Sequence, residues 1–182
     1  MSQYRKNGIC FPKGFKANGI HCGIRKNKTK KDLSVIYSEV VANAAATYTQ
    51  NKVKGAPIFV TKEHLKDGLA QAMICNSGNA NTCNANGVEI ANGMSELCAK
   101  ALGIKAEDII VASTGVIGEP MSMDPFVQHM DELCAGISDQ KGSDACEGIM
   151  TTDTFKKEFC TEFMIDGVTC RIGGMAKGSG MI

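Results

Sequence analysis

Three positions stand out among the side chains able to do chemistry. Ser113-Thr114-Gly115 follows at once on the apolar run Ile109-Ile110-Val111-Ala112. Directly after a buried strand the backbone direction is set. Gly115 has no Cβ to keep a ligand from its N–H, and Thr114 offers a hydroxyl donor. Donors held in this way suit an anion, although a plain strand-ending turn accounts for the same residues. Thr151 opens Thr151-Thr152-Asp153-Thr154, where a hydroxyl serves a polar ligand or caps a helix end. Lys177 sits in the glycine-rich segment Gly173-Gly174-Met175-Ala176-Lys177-Gly178-Ser179-Gly180. Its ammonium suits a carboxylate, with an exposed loop lysine as the plain alternative. The nine cysteines contain no C-x-x-C pair, so they read as reduced cytosolic thiols that mostly fill the core, and no metal site is expected. His21, His64 and His129 are scattered and read as helix-face or loop residues.

These donors need elements to position them. Residues 8–24 hold glycines between short apolar stretches and suggest a hairpin or two short strands. Residues 26–32 form a charged, solvated connector. Residues 33–41, rich in β-branched side chains, form a strand that 42–50 either extend or pair with. Residues 57–66 start near a proline and suggest a short helix, with Ile58-Phe59-Val60 leaving a strand open. The run 69–75 has strand length and ends in the turn formers Asn76-Ser77-Gly78-Asn79. Val88, Ala91, Met94, Cys98 and Ala101 recur at three- and four-residue steps, a helix that Gly103 stops. After the strand at 109–112 come helices over 125–135, with Asp124 as N-cap, and over 143–150. Asp166-Gly167 between 156–165 and 168–172 predicts a hairpin with a tight primed turn. Strands interspersed with helices, with no repeat and no linker, give one domain of α/β or mixed α+β class.

Composition removes several function classes. The 182 residues carry Lys+Arg 20 against Asp+Glu 19, a formal net charge of +1. That balance offers no attraction to nucleic acid or to an anionic membrane. Aromatics are 5% with no Trp, too few for a base-stacking platform. The N-terminus lacks the apolar stretch of a secretory signal, and no apolar run is long enough to span a bilayer. The last residues, Met181 and Ile182, are large and apolar, and burying each is worth about 1.5–3 kcal/mol. A missing stretch and the product of a cut polypeptide are both compatible with such an ending.

Four collinear segments carry a resemblance. They are Asn76-Ser77-Gly78-Asn79-Ala80-Asn81, Ser113-Thr114-Gly115-Val116-Ile117-Gly118, Met150-Thr151-Thr152-Asp153-Thr154 and Ala176-Lys177-Gly178-Ser179-Gly180-Met181-Ile182. In this order and spacing the chain resembles the glutamate N-acetyltransferase / ornithine acetyltransferase family through nearly its whole length. The first segment departs from the family pattern after Cys83, and its loop reads as turn chemistry near the site.

The resemblance implies an autoproteolytically processed acyltransferase of arginine biosynthesis with the layered sheet-and-helix fold of N-terminal-nucleophile enzymes. This chain would be the α subunit, completed by a β chain from the same precursor in an α2β2 heterotetramer in the cytoplasm. Acetyl would pass from N-acetylornithine to glutamate through a threonine at the start of the β chain. A free α-amine has a pKa of about 7.7–8.0, suited to act as that hydroxyl's base. Thr114 and Gly115 are implied as the oxyanion hole, where one donor is worth about 2.7–4 kcal/mol, and Thr151 and Lys177 as substrate-binding residues. No resident cofactor or metal is implied; acetyl-CoA is a co-substrate in bifunctional members. The alternatives are an amidase or aminopeptidase with the same self-processing logic, and a non-catalytic ligand-binding domain.

Overall fold

A computed structural model describes residues 8–180. After a single 3-10 turn at Gly8–Cys10, strand β1 (Phe15–Ile20) pairs antiparallel with β2 (Leu33–Asn43), and β2 pairs antiparallel with β3 (Leu69–Asn79). β3 pairs in parallel with β4 (Ile109–Val116), closing a four-stranded sheet of order β1-β2-β3-β4. The segment 8–24 therefore makes one strand and no hairpin of its own, because its partner is β2. Strand β2 extends only to Asn43, and 44–55 hold no regular structure.

Helix α1 (Ala56–His64) begins with Pro57 in its first turn, so the helix wins over a strand at 58–60. Its Thr61 hydroxyl donates to the Val111 carbonyl at 2.7 Å and accepts from the Val111 N–H at 2.9 Å, which locks α1 onto β4. Helix α2 (Gly87–Leu102) ends at left-handed Gly103, as its spacing predicts. Its buried stripe is Ile90, Ala91, Met94 and Cys98, whereas Val88 is 48% exposed; the apolar face starts at Ile90. Helix α3 (Asp124–Ala135) places Asp124 inside its first turn. Asp124 is not the N-cap; its N–H is met by the Ser122 hydroxyl at 3.1 Å. Helix α4 spans Gly142–Ile149.

The sheet has two unlike faces. Leu33, Val35, Ile74, Ile109 and Val111 join Met94, Phe126, Met130 and Leu133 of α2 and α3 in one apolar cluster. Alternation along the strands sends Ser34, Ser77 and Thr114 to the other face. There the Ser34 hydroxyl donates to the Ala145 carbonyl of α4 at 2.8 Å. Beyond α4, β5 (Lys157–Ile165) and β6 (Val168–Ala176) form a separate antiparallel ribbon. Asp166 (φ 49°) and Gly167 (φ 80°) make its turn, the left-handed pair of a type I′ hairpin. The ribbon is longer than its sequence suggests, because β6 runs on to Ala176 and delivers Lys177 to the sheet. The result is the mixed, layered α/β fold expected.

All nine cysteines are free thiols, and six of them are buried. No helix among the described residues is long and apolar enough to cross a membrane. The apolar ending at Met181 and Ile182 lies outside the described residues.

Candidate active site

Strands β3 and β4 run together past the lengths expected of them. The turn formers 76–79 and the triplet 113–115 are themselves strand, paired Asn76 with Ser113, Ser77 with Thr114 and Gly78 with Gly115. Register breaks after Gly78. Gly115 has φ 137°, and a Cβ there would collide with the Gly78–Asn79 backbone. Only glycine fits such a conformation at that approach. Buried amides hold the turn that follows. Asn76 Nδ2 donates to the Asn79 carbonyl at 2.9 Å, Asn79 Nδ2 to the Glu119 carbonyl at 3.0 Å and Asn81 Nδ2 to the Gly87 carbonyl at 2.8 Å. Asn76 and Asn81 are fully buried, so this loop satisfies backbone carbonyls beside the site.

The four residues singled out in the sequence meet at one cleft of about 880 Å3, lined by Gly115, Thr151 and Lys177. Thr114 joins them through its hydroxyl, which accepts a hydrogen bond from Lys177 Nζ at 2.8 Å. A hydroxyl has one proton to give and two lone pairs. With the ammonium on a lone pair, the Thr114 proton is free to be donated and is polarised for it. Lys177 therefore touches Thr114 directly, and its other N–H groups remain for a ligand. Cys75 lies on the same strand face as Ser77 and Thr114. Burial pushes its thiol up to about 12, with Lys177 opposing, which disfavours the thiolate.

Asp153, to which the sequence assigned no role, is the tie between the two segments. Its Oδ1 accepts from Lys157 Nζ at 2.7 Å and from the Gly178 N–H at 2.7 Å, and its Oδ2 accepts from the Thr151 N–H at 3.2 Å. Lys157 Nζ also donates to the Gly178 carbonyl at 3.0 Å. The Asp153 side chain is 2% exposed. The bonded Lys157 ammonium and the two backbone N–H groups hold its carboxyl well below the usual carboxylate range, against the opposing effect of burial. The only sequence signal was Asp153 four residues before Lys157, and that spacing is common on any surface.

The connector 26–32 is only partly a solvated loop. Lys26, Asn27 and Lys30 line the cleft, and Asp32 is fully buried. Its carboxylate accepts from the Cys22 N–H at 2.6 Å and the Arg25 N–H at 2.8 Å, and this fixes the loop that presents Arg25. Arg25 Nη2 donates to the Thr151 carbonyl at 2.7 Å. The cleft thus gathers Arg25, Lys26, Lys30, Lys157 and Lys177 against Glu119 and Asp153, an excess of positive charge that favours an anionic ligand. Among the described residues no cluster of His, Cys, Asp and Glu is arranged to hold a metal.

The chain is 45% identical to the arginine biosynthesis bifunctional protein ArgJ of Caldanaerobacter subterraneus subsp. tengcongensis, over 96% of this chain and 43% of that protein. It is 47% identical to the Bacillus subtilis protein of the same name, over 96% of this chain and 42% of that one. The chain thus spans about two fifths of the length of these curated relatives. Among solved structures, ArgJ from Bacillus halodurans superposes with a TM-score of 0.90 at 39% identity, covering 100% of this chain and 96% of that one. Ornithine acetyltransferase from Mycobacterium tuberculosis, complexed with ornithine, superposes with a TM-score of 0.87 at 31% identity, covering 100% and 97%. Residues 16–182 match the ArgJ family, and the chain belongs to that family.

Proposed function

We propose that this chain forms the oxyanion-stabilising half of an acetyltransferase that moves acetyl from N-acetylornithine to glutamate in arginine biosynthesis. The carrying observation is the Lys177–Thr114 contact of 2.8 Å beside the cleft. It leaves the Thr114 proton free for donation beside the glycine-only backbone of Gly115, a donor set suited to a tetrahedral oxyanion.

The nucleophile is a threonine at the start of a companion β chain cut from the same precursor. Its α-amine takes the hydroxyl proton as the oxygen attacks the acetyl carbonyl. Thr114 and Gly115 hold the oxyanion. Collapse breaks the amide bond, and the protonated α-amine returns the proton to the departing ornithine nitrogen. The neutral amine of glutamate then attacks the acetyl ester and gives a proton to the α-amine, which returns it to the threonine oxygen as the ester bond breaks and N-acetylglutamate leaves. Lys177 and Thr151 bind the shared amino-acid portion of the two substrates. No resident cofactor is needed, and the enzyme is a cytoplasmic α2β2 assembly.

The β5–β6 ribbon supports the companion chain. Met164 is 62%, Ile165 53% and Val168 64% exposed, apolar surface that a larger assembly would cover.

The test is an assay of the full-length protein with N-acetylornithine, with and without glutamate, beside intact mass spectrometry. Ornithine release that requires glutamate, with a co-purifying chain beginning in threonine, is expected. Release that ignores glutamate means hydrolysis and overturns the transferase reading.

A further inference from the structure

We propose that Arg25 is a specificity-determining residue that receives a carboxylate of the amino-acid substrate, an inference that rests on the acetyltransferase reading above. A guanidinium carries five N–H donors in a rigid fork. Among the described residues Arg25 spends one of them, on the Thr151 carbonyl at 2.7 Å, and pairs with no carboxylate. Asp153, the nearby acid, is already held by Lys157, Gly178 and Thr151. A half-buried guanidinium with a vacant fork, inside a cleft of positive excess, is built for a bidentate anion.

Its placement is constrained. The backbone N–H of Arg25 is pinned at 2.8 Å by the buried Asp32 carboxylate. Its stem lies so close over Gly78 that a Cβ there would come within 2.8 Å of Arg25 Cγ. Gly78 is the register partner of Gly115. The side chain is therefore held at its stem beside the Gly78–Gly115 strand pair and at its fork by Thr151. An α-carboxylate lies only two bonds from the acylated nitrogen, and the side-chain carboxylate of glutamate a few bonds further. Both present the same planar oxygen pair to a guanidinium fork.

The experiment compares wild type with Arg25→Gln and Arg25→Lys in the full-length protein, measuring KM and kcat. Each is assayed with N-acetylornithine against its α-carboxamide as donor, and with glutamate against glutamine as acceptor. In wild type the amide raises KM. Arg25→Gln is expected to raise KM for the carboxylate form about 10- to 100-fold, the range for a hydrogen bond to a charged group. The amide-to-acid ratio then collapses towards one, with kcat nearly unchanged. Collapse of the donor ratio assigns the α-carboxylate, and collapse of the glutamine-to-glutamate ratio assigns the side-chain carboxylate. Arg25→Lys keeps the charge but loses the fork, so it falls between the two and serves where the glutamine variant folds poorly. If neither ratio changes while kcat or Tm drops, Arg25 only supports Thr151 and the proposal is overturned. A wild type that transfers no acetyl between these substrates refutes the acetyltransferase reading itself, a result visible before any variant is compared.

Discussion

The two faces of the four-stranded sheet are built from the same strands and do opposite work. On the α2–α3 face, Leu33, Ile74, Ile109 and Phe126 are fully buried with apolar neighbours. On the α4 face, one residue along the strand, Thr114 lies beside a charged cleft whose order comes from hydrogen bonds: Lys177 to Thr114, and the N–H groups of Gly178 and Thr151 to Asp153. The contrast separates stability from chemistry by a single residue of strand register. Apolar contact is non-directional and tolerates approximate shape, whereas an oxyanion site needs donors fixed to a fraction of an ångström.

The largest effect should come from breaking the apolar face. Phe126→Ala is expected to lower unfolding stability by about 3–5 kcal/mol in urea denaturation, while the folded fraction keeps its kcat. Thr114→Ala should do the reverse, cutting kcat by about 100- to 1000-fold with Tm little changed. If Thr114→Ala unfolded the protein instead, the division between the faces would fail. Asp153→Asn should follow, raising KM by roughly 10-fold as the tie among Thr151, Lys157 and Gly178 loosens. Its pH signature is also specific. The folded pKa of Asp153 is lowered from the ordinary 3.8, so its stabilisation is complete above about pH 4 and is lost as pH falls below it. Tm of wild type should drop more between pH 5 and pH 3 than that of Asp153→Asn, as read by calorimetry. The smallest effect belongs to the far surface. Lys16 and Glu39 pair at 2.6 Å with side chains 41% and 50% exposed, and Lys16→Ala should leave both Tm and activity unchanged.

Much of this division is legible in the chain. The three- and four-residue recurrence of Ala91, Met94 and Cys98 marks α2 and its buried side, and Asp166-Gly167 marks the ribbon turn, because both signals are local. The four positions proposed for the site are marked by the collinear motifs, whereas residue chemistry alone reads them equally as a strand-ending turn, a helix cap and a loop lysine. The extent of the strands is not legible. Asn76 to Asn79 have turn-forming side chains, and yet they complete a strand because β4 supplies a parallel partner there. Tertiary pairing overrides local preference. Asp124 likewise looks like an N-cap and is instead helical.

Local order along the polypeptide thus determined the elements, the faces they bury and the residue types available for binding an anion. Only the folded structure decided that Lys177 contacts Thr114 across 63 residues of chain. It also decided that Asp153 joins the Thr151 and Gly178 segments and that Arg25 lies over Gly78. Periodicity reports interactions over one or two turns, whereas the convergence of distant side chains depends on which strand edges and loop ends packing brings together, and no spacing along the chain encodes that distance.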